Sequence, residues 1–206
     1  MLKAVTISVI IGTFLIGMYY VVDATYVQPV QKDDLAVALD KLSSGLTYDK
    51  LAAIEEQERY SLVRFAPSET VRLLMQEAQS RPSFAAESKD KIKEHSGSAE
   101  LRLVKLTQIT GLKGFEAQGT AGIYVSGEST FLRLENFGVT PGLDQHIYLT
   151  KDGSVATGID IGRLKATEGS HNYDITGMDT ETFNTLIIYS PTFETYYAHA
   201  RFLKAE

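Results

Sequence analysis

The sequence contains no cysteine among its 206 residues. Without a thiol, the chain can form no disulfide framework, no thiolate metal site and no thiol nucleophile. Histidine is scarce as well: His95, His146, His171 and His199 are the four copies, and no HxxxH or HxH pair occurs among them. Because dedicated metal sites commonly use such closely spaced ligands, we expect no metal site, and we assign no cofactor.

Clustered positive charge is also missing. The chain has 20 Lys and Arg against 26 Asp and Glu, a formal net charge of −6, and its basic residues are scattered. Since a nucleic-acid surface needs clustered cations to neutralise phosphates, nucleic acid is excluded as a partner. The sequence also has no P-loop, dinucleotide-binding glycine pattern, zinc-protease helix or nucleophile elbow. We therefore assign no catalytic residue.

The first feature that the sequence does have is an uncharged run at residues 4–22, preceded by Lys3 and ended by Asp23. A helix of this length rises about 28 Å, close to the roughly 30 Å hydrocarbon core of a bilayer. The run predicts a single transmembrane helix within a membrane anchor at residues 1–26, with the lipid bilayer as a partner. The flanking charges favour an N-terminus inside and a C-terminal domain outside the cytoplasm.

A cleaved signal peptide is the alternative interpretation of this run. Signal peptides usually have a shorter hydrophobic segment and a small-x-small cleavage site, for which Val22, Asp23 and Ala24 are a poor match. We therefore favour a retained anchor. Under both interpretations the rest of the chain is exported.

Residues 27–100 are charged and alanine-rich, which predicts a helical spacer or linker. Three short amphipathic helices are expected at residues 33–45, 48–63 and 68–81, with Ser68 as the N-cap of the third. Residues 83–98 are polar and weakly patterned, as in a linker or a frayed helix. Helices with such narrow apolar faces usually pack on a neighbouring domain, but an oligomerisation or partner-docking stalk would show the same pattern.

Residues 101–206 are dominated by β-branched and aromatic residues separated by glycine-containing turns. Apolar and polar residues alternate, which is the period of half-buried strands. The pattern predicts a mainly β fold, an antiparallel β-sandwich or barrel-like domain. The expected strands are at residues 102–109, 115–125, 130–137, 145–150, 160–165, 170–175, 184–190 and 196–203.

Several blocks of this region resemble the DM13 domain family. They include LRLENF at 132–137, HIYL at 146–149, GSHNY at 169–173, LIIYS at 186–190 and YYAHA at 196–200. The resemblance implies an extracytoplasmic module with a proposed role in electron transfer through a cysteine in a Trp-Cys pair. This sequence has Tyr189 and Ser190 at that place. Because a serine hydroxyl has no accessible redox couple, the chemistry that the resemblance implies is missing.

Asp144 and His146 are the first candidate pair for a site. They lie two residues apart, so on a strand both side chains would point to the same face. An acid could then orient an imidazole for base catalysis, although no nucleophile is fixed beside them by the sequence. The more ordinary role for Asp144 is a turn carboxylate that caps backbone amides.

Tyrosine is abundant, with 11 copies against no tryptophan. Tyr189, Tyr196 and Tyr197 lie close together in sequence and, with Ser190, form the second candidate site. Such a cluster could be an aromatic recognition patch for a glycan or a protein, or could relay an electron if a partner supplied the redox centre. Structural use of tyrosine in a sheet is the alternative.

Taken together, these features predict a non-catalytic, membrane-anchored extracytoplasmic module that acts by binding or assembly with a protein partner at the cell surface. An electron-transfer accessory protein that uses a bound cofactor or tyrosines is the alternative. A hydrolase that uses Asp144 and His146 is a third hypothesis.

Overall fold

Two five-stranded sheets are built from β1 at residues 84–86 and from the alternating sequence of the C-terminal half. The structure, a computed structural model, describes residues 32–98 and 100–203. Its strands are β1 (Phe84–Ala86), β2 (Arg102–Gln108), β3 (Thr110–Gly111), β4 (Ala117–Ser126), β5 (Ser129–Val139), β6 (His146–Thr150), β7 (Ile159–Arg163), β8 (Glu168–Asp174), β9 (Thr185–Ser190) and β10 (Thr195–Arg201). One sheet has the order β1-β8-β5-β4-β2 and the other the order β3-β10-β9-β6-β7. All pairs are antiparallel except β1 with β8. The mainly β, sandwich-like prediction is confirmed.

The core lies between the inner faces of the two sheets. Leu132 and Leu134 of β5 and Ile147 and Leu149 of β6 are fully buried, and they alternate with residues of the outer faces. Burying each such side chain stabilises the fold by roughly 1.5–3 kcal/mol. All eight predicted strands are present, whereas β1 and β3 were not predicted because two or three residues are too few to show a period.

In the described part of the chain, five α-helices precede or interrupt the sheets. They are α1 (Lys32–Leu42), α2 (Tyr48–Ala53), α3 (Glu56–Arg64), α4 (Ser68–Gln79) and α5 (Asp90–Ser96), and a short 3-10 turn covers Val155–Thr157. The single helix predicted at 48–63 is therefore two, because Ile54 takes an extended conformation between them. The predicted N-cap is also displaced by one residue: Pro67 holds the cap position, without a side-chain cap.

The described part of the predicted spacer is continuous with the sandwich. Residues from Lys32 onward belong to one compact unit, and β1 pairs in parallel with β8 through Phe84 opposite Glu168 and Ala86 opposite Ser170. Helix α5 lies on the outer face of the same sheet, where the His95 ring meets Phe131 edge-on at 5.7 Å. Residues 83–98 thus contain a strand of this sheet and a helix that packs on it.

The predicted transmembrane segment at residues 4–22 lies outside the described residues. Among the helices of residues 32–203 that the structure describes, none is long and apolar enough to cross a bilayer.

Candidate functional site

Asp144 lies at the centre of the candidate site, in the turn that leads into β6. Its φ of +60° is in the left-handed region, which aspartate tolerates better than most residues. The residue is only 6% exposed, so its carboxylate needs hydrogen-bond donors and positive charges inside the protein to replace the lost water. These groups come from side chains on four separate segments of the chain.

Three cations converge on one oxygen of this carboxylate. Arg163 at the end of β7 donates to Asp144 Oδ1 from Nη2 at 2.7 Å and from Nε at 3.0 Å. His146 Nε2 lies 3.3 Å from the same oxygen, and Arg59 Nη2 lies 2.6 Å from it. The other oxygen accepts a hydrogen bond of 2.8 Å from Thr192. Burial alone would raise the pKa of Asp144, but these bonds outweigh it and hold that pKa well below its usual range. The predicted role as a cap of backbone amides is wrong, because the partners are side chains.

Arg59 reaches the site from α3 and is fully buried. Its Nε donates to Thr192 Oγ1 at 3.1 Å, and its Nη1 donates to the carbonyls of Ala52 at 3.2 Å and Ile54 at 2.9 Å. These carbonyls are free to accept because the helix is interrupted at Ile54. The Nη2 hydrogens are not aligned with an acceptor, so the 2.6 Å approach to Asp144 is a charge contact without a well-directed hydrogen bond.

His146 is held between carboxylates. Its Nδ1 lies 2.9 Å from Asp160 Oδ2, and its Nε2 faces Asp144 and also lies 3.5 Å from Glu56 Oε2. Burial opposes the charged ring, but the bonds to Asp144 and Asp160 dominate and raise the pKa of His146 to about 9. At neutral pH the ring is an imidazolium that donates from both nitrogens. It therefore has no free nitrogen to act as a general base.

Among the described residues, the charges in this cluster balance. Three carboxylates, Asp144, Asp160 and Glu56, face three cations, Arg59, Arg163 and protonated His146. Donor atoms of Glu56, Asp144 and His146 also lie within 4.8 Å of one another, a spacing that could hold a metal ion. A dication would have to displace the proton of His146 and face two guanidinium groups, so this environment is poorly suited to a metal. The arrangement stabilises structure better than it supports chemistry.

Ser190, at the end of β9, lies in the wall of the same region and is fully buried. Its hydroxyl donates to the carbonyl of Leu143 at 2.8 Å and accepts from the backbone N–H of Phe193 at 3.3 Å. Both bonds fix the corner that precedes Asp144 against the turn after β9. The side chain is thus a structural tie with no exposed reactive atom.

The candidate tyrosines separate into two environments. Tyr189 and Tyr196 pair across β9 and β10, with ring centroids 4.8 Å apart, and Tyr148 meets Tyr189 edge-on at 5.9 Å. Tyr197 instead is 1% exposed and packs on Phe115 in the core at 4.4 Å. A β-bulge between Tyr196 and Ala198 turns Tyr197 inward. Tyr197 is therefore not part of a surface patch.

The outer tyrosines continue into α3 and its C-terminal end. The hydroxyl of Tyr60 donates to Glu194 at 2.8 Å. The guanidinium of Arg64 lies 5.6 Å from the ring centroid of Tyr60 and 5.5 Å from that of Phe65, which is 81% exposed. At the opposite end, Lys113 Nζ lies 5.4 Å from the Tyr196 ring. We name the surface of Tyr60, Arg64, Phe65, Lys113, Tyr148, Tyr189 and Tyr196 the aromatic strip.

The match to a known family covers most of the sandwich. Residues 110–202 match the family model described as Electron transfer DM13. These residues form a DM13 domain. The comparisons with curated proteins and with solved structures found no match.

The DM13 match includes Asp144, His146 and Ser190 but not the helical residues that complete the site. Arg59 and Glu56 both lie before residue 110. The negative charge of Asp144 is therefore balanced in part by a helix outside the matched domain. Sequence reasoning missed Arg59, which follows four polar residues and resembles a solvated helix face. The available signal was its position four residues before the buried Val63, which places both on one face of α3.

Proposed function

We propose that this chain is a membrane-tethered, extracytoplasmic DM13 module that acts by binding a protein partner and not by catalysis. The observation that carries the proposal is the aromatic strip, which lies beside a site whose charged groups are already paired. The uncharged run at residues 4–22 supports the tether. Ser190 supports the non-catalytic role, because the position that the family resemblance assigns to a redox cysteine here carries a buried, hydrogen-bonded hydroxyl.

The composition of the aromatic strip suits a protein partner. Tyrosine, phenylalanine and arginine are enriched where proteins meet, since they bury large areas at low entropic cost. Arg64 and Lys113 stand at its two ends, whereas the carboxylate of Glu194 already accepts from Tyr60. The strip therefore favours a partner that offers apolar side chains flanked by carboxylates.

Site-specific photo-crosslinking in membranes of the host tests this proposal. A photoreactive phenylalanine analogue at Phe65 is expected to capture one defined partner, and Tyr196→Ala is expected to reduce the yield about tenfold. The matched control is the same analogue at Leu106, a 54% exposed residue of β2 away from the strip. Equal capture from both positions, or an unchanged yield with Tyr196→Ala, would refute the binding role of the strip.

The tether and its orientation need a separate test. In intact cells, an added protease is expected to cleave the sandwich of the full-length chain from outside, while residues 1–26 stay in the membrane fraction. Recovery of the whole chain in the soluble fraction, or protection of the sandwich until the cells are lysed, would contradict this part of the proposal.

Electron transfer through tyrosines is a second candidate, favoured by the edge-to-face series of Tyr148, Tyr189 and Tyr196. Burial and then the neighbouring carboxylate of Asp160 raise the pKa of Tyr148. On loss of one electron to a one-electron oxidant, Tyr148 would release its phenolic proton to Asp160. Electron paramagnetic resonance after oxidation by hexachloroiridate would then show a tyrosyl radical that Tyr148→Phe reduces. A spectrum unchanged by that substitution would exclude this route.

A further inference from the structure

One large cleft of the described residues lies away from the Asp144 cluster and is not used by the proposed function. Its volume is about 1070 Å³, at the upper end of the roughly 300–1,000 Å³ of small-molecule pockets. The cleft is open to solvent and has walls from both sheets, β1 and the loop after β3. Its size fits an elongated ligand of several rings.

An exposed aromatic ring stands in one wall. Phe84 of β1 is 72% exposed although it belongs to a sheet. Gly169 opposite β1 allows the close approach: a Cβ at that glycine would lie 1.9 Å from the Ala85 carbonyl oxygen and 3.2 Å from the Phe84 ring. The ring is therefore supported by backbone on one side and is open to the cleft on the other. Such a platform is suited to stacking against a flat apolar face.

Amide and carboxylate side chains share the cleft with this ring. The cleft is lined by Gln79, Gln118 and Asn136, and by Glu116 and Glu168. Within the described chain, the hydrogen bonds of Glu116, Asn136 and Glu168 run through backbone atoms. Their side-chain groups are thus available to a ligand. Amides both donate and accept, and carboxylates accept, which matches a ligand that presents many hydroxyl groups.

A bulge in β5 places one of these amides. The pairing of β5 shifts register on both sides of the strand, between Leu134 and Phe137 against β8 and between Gln118 and Thr120 against β4. Asn136 at this bulge has a φ of +47° and is exposed. Bulges of this kind re-aim a side chain out of the regular alternation. Here the result is an amide directed away from the ladder and onto the cleft wall.

The charge of the cleft restricts the ligand further. Among the described residues that line it, two are acidic and none is Lys, Arg or His. A phosphate, sulfate or uronate group would meet uncompensated carboxylates. From the aromatic platform, the free amides and the absence of a lining cation, we infer that this cleft binds a neutral oligosaccharide. This inference does not depend on the aromatic strip or on its protein partner.

Calorimetric titration of the full-length chain tests the inference. The detergent must lack a sugar headgroup, because a maltoside would compete. The probes are cellotriose, maltotriose and triacetylchitotriose, with trigalacturonate as the anionic comparison. At least one neutral trisaccharide is expected to bind, at least tenfold more tightly than trigalacturonate. Absence of binding by all three neutral probes at millimolar concentration, or equal binding of trigalacturonate, overturns the inference.

Two variants locate the binding. Phe84→Ala is expected to weaken it about tenfold, as loss of one stacking platform predicts. Phe65→Ala removes a similarly exposed ring of the aromatic strip and should leave the binding unchanged. Asn136→Gly removes the amide while a glycine accepts the positive φ, so the fold is retained, and we expect binding several-fold weaker. Wild-type affinity in both Phe84→Ala and Asn136→Gly overturns the assignment of the cleft.

Discussion

Removal of Arg59 is the sharpest test of how the helical segment supports the DM13 domain. Arg59→Met keeps the length and apolar stem of the side chain but deletes the guanidinium. The buried Asp144 then loses one of its cations, and the carbonyls of Ala52 and Ile54 lose their donor. Breaking a buried ion pair typically costs about 3–5 kcal/mol. Because Arg163 remains bonded to Asp144, we expect the lower end, a loss of about 3 kcal/mol in the free energy of unfolding.

A double-mutant cycle separates the charge contact from the other losses. Asp144→Asn alone is expected to cost about 3 kcal/mol because it leaves Arg59 buried without its carboxylate. The double variant should lose about 2 kcal/mol less than the two single losses combined, within the coupling usual for directly contacting residues. Urea unfolding followed by far-UV circular dichroism is the assay, since the chain has no tryptophan to report on unfolding.

Arg81→Met is the matched control. Arg81 also pairs with carboxylates, those of Asp49 and Glu77, but its side chain is 44% exposed. Solvent screens such pairs, so the variant should lose no more than about 1 kcal/mol. The reasoning fails if Arg59→Met is no more destabilising than Arg81→Met, or if the effects of Arg59→Met and Asp144→Asn simply add.

Three further predictions concern titration, access and packing. Folding raises the pKa of His146 from its ordinary value of 6.5 to about 9. The stabilisation from this residue is therefore complete below pH 6.5 and is lost as pH rises towards 9, by at most about 1.4 kcal/mol per pH unit. Burial lowers the pKa of His171, whose stabilisation is present above pH 6.5 and lost in acid, so urea midpoints should peak near pH 6.5. A midpoint that still rises between pH 6.5 and 9 would contradict the His146 assignment, and one that does not fall below pH 6.5 would contradict the His171 assignment. Ser190→Cys should lower the free energy of unfolding by about 1 kcal/mol. Because the site is fully buried, Ellman's reagent should modify the new thiol only on unfolding. Rapid labelling of the folded chain would disprove this. Gly142→Ala should lower stability by about 1–3 kcal/mol, since its Cβ would lie 2.5 Å from the Tyr197 hydroxyl, and an unchanged thermal midpoint would show that the ring can move.

The strands were predictable because their signal is local. In β5 and β6 the alternation of side chains is visible within six residues, and the structure follows it. The bulge between Tyr196 and Ala198 was not predictable, since one extra residue breaks the period without changing the composition. The interpretation of Tyr197 failed for that reason.

The site was only partly predictable. The spacing of Asp144 and His146 predicted that their side chains would lie together on a strand, and the two side chains do meet, although Asp144 lies in the turn before β6. Arg59 and its partner Thr192 are 133 residues apart in sequence. Such a contact leaves no periodic trace in a single sequence, and the run before Arg59 resembles an ordinary solvated surface. A charge network assembled from distant segments becomes visible only when the chain is folded.

The parallel strand β1 and the buried guanidinium of Arg59 have a consequence for biosynthesis. A ribosome releases α3 and β1 early, yet Ser83 bonds to Thr167, 84 residues later, and Arg59 bonds to Thr192, 133 residues later. Helix α3 therefore lacks its hydrogen-bond partner Thr192 until nearly the whole polypeptide has emerged. A product truncated before Thr192 would leave that guanidinium hydrated and its helix accessible to proteases, so quality control could distinguish complete from incomplete chains at this point.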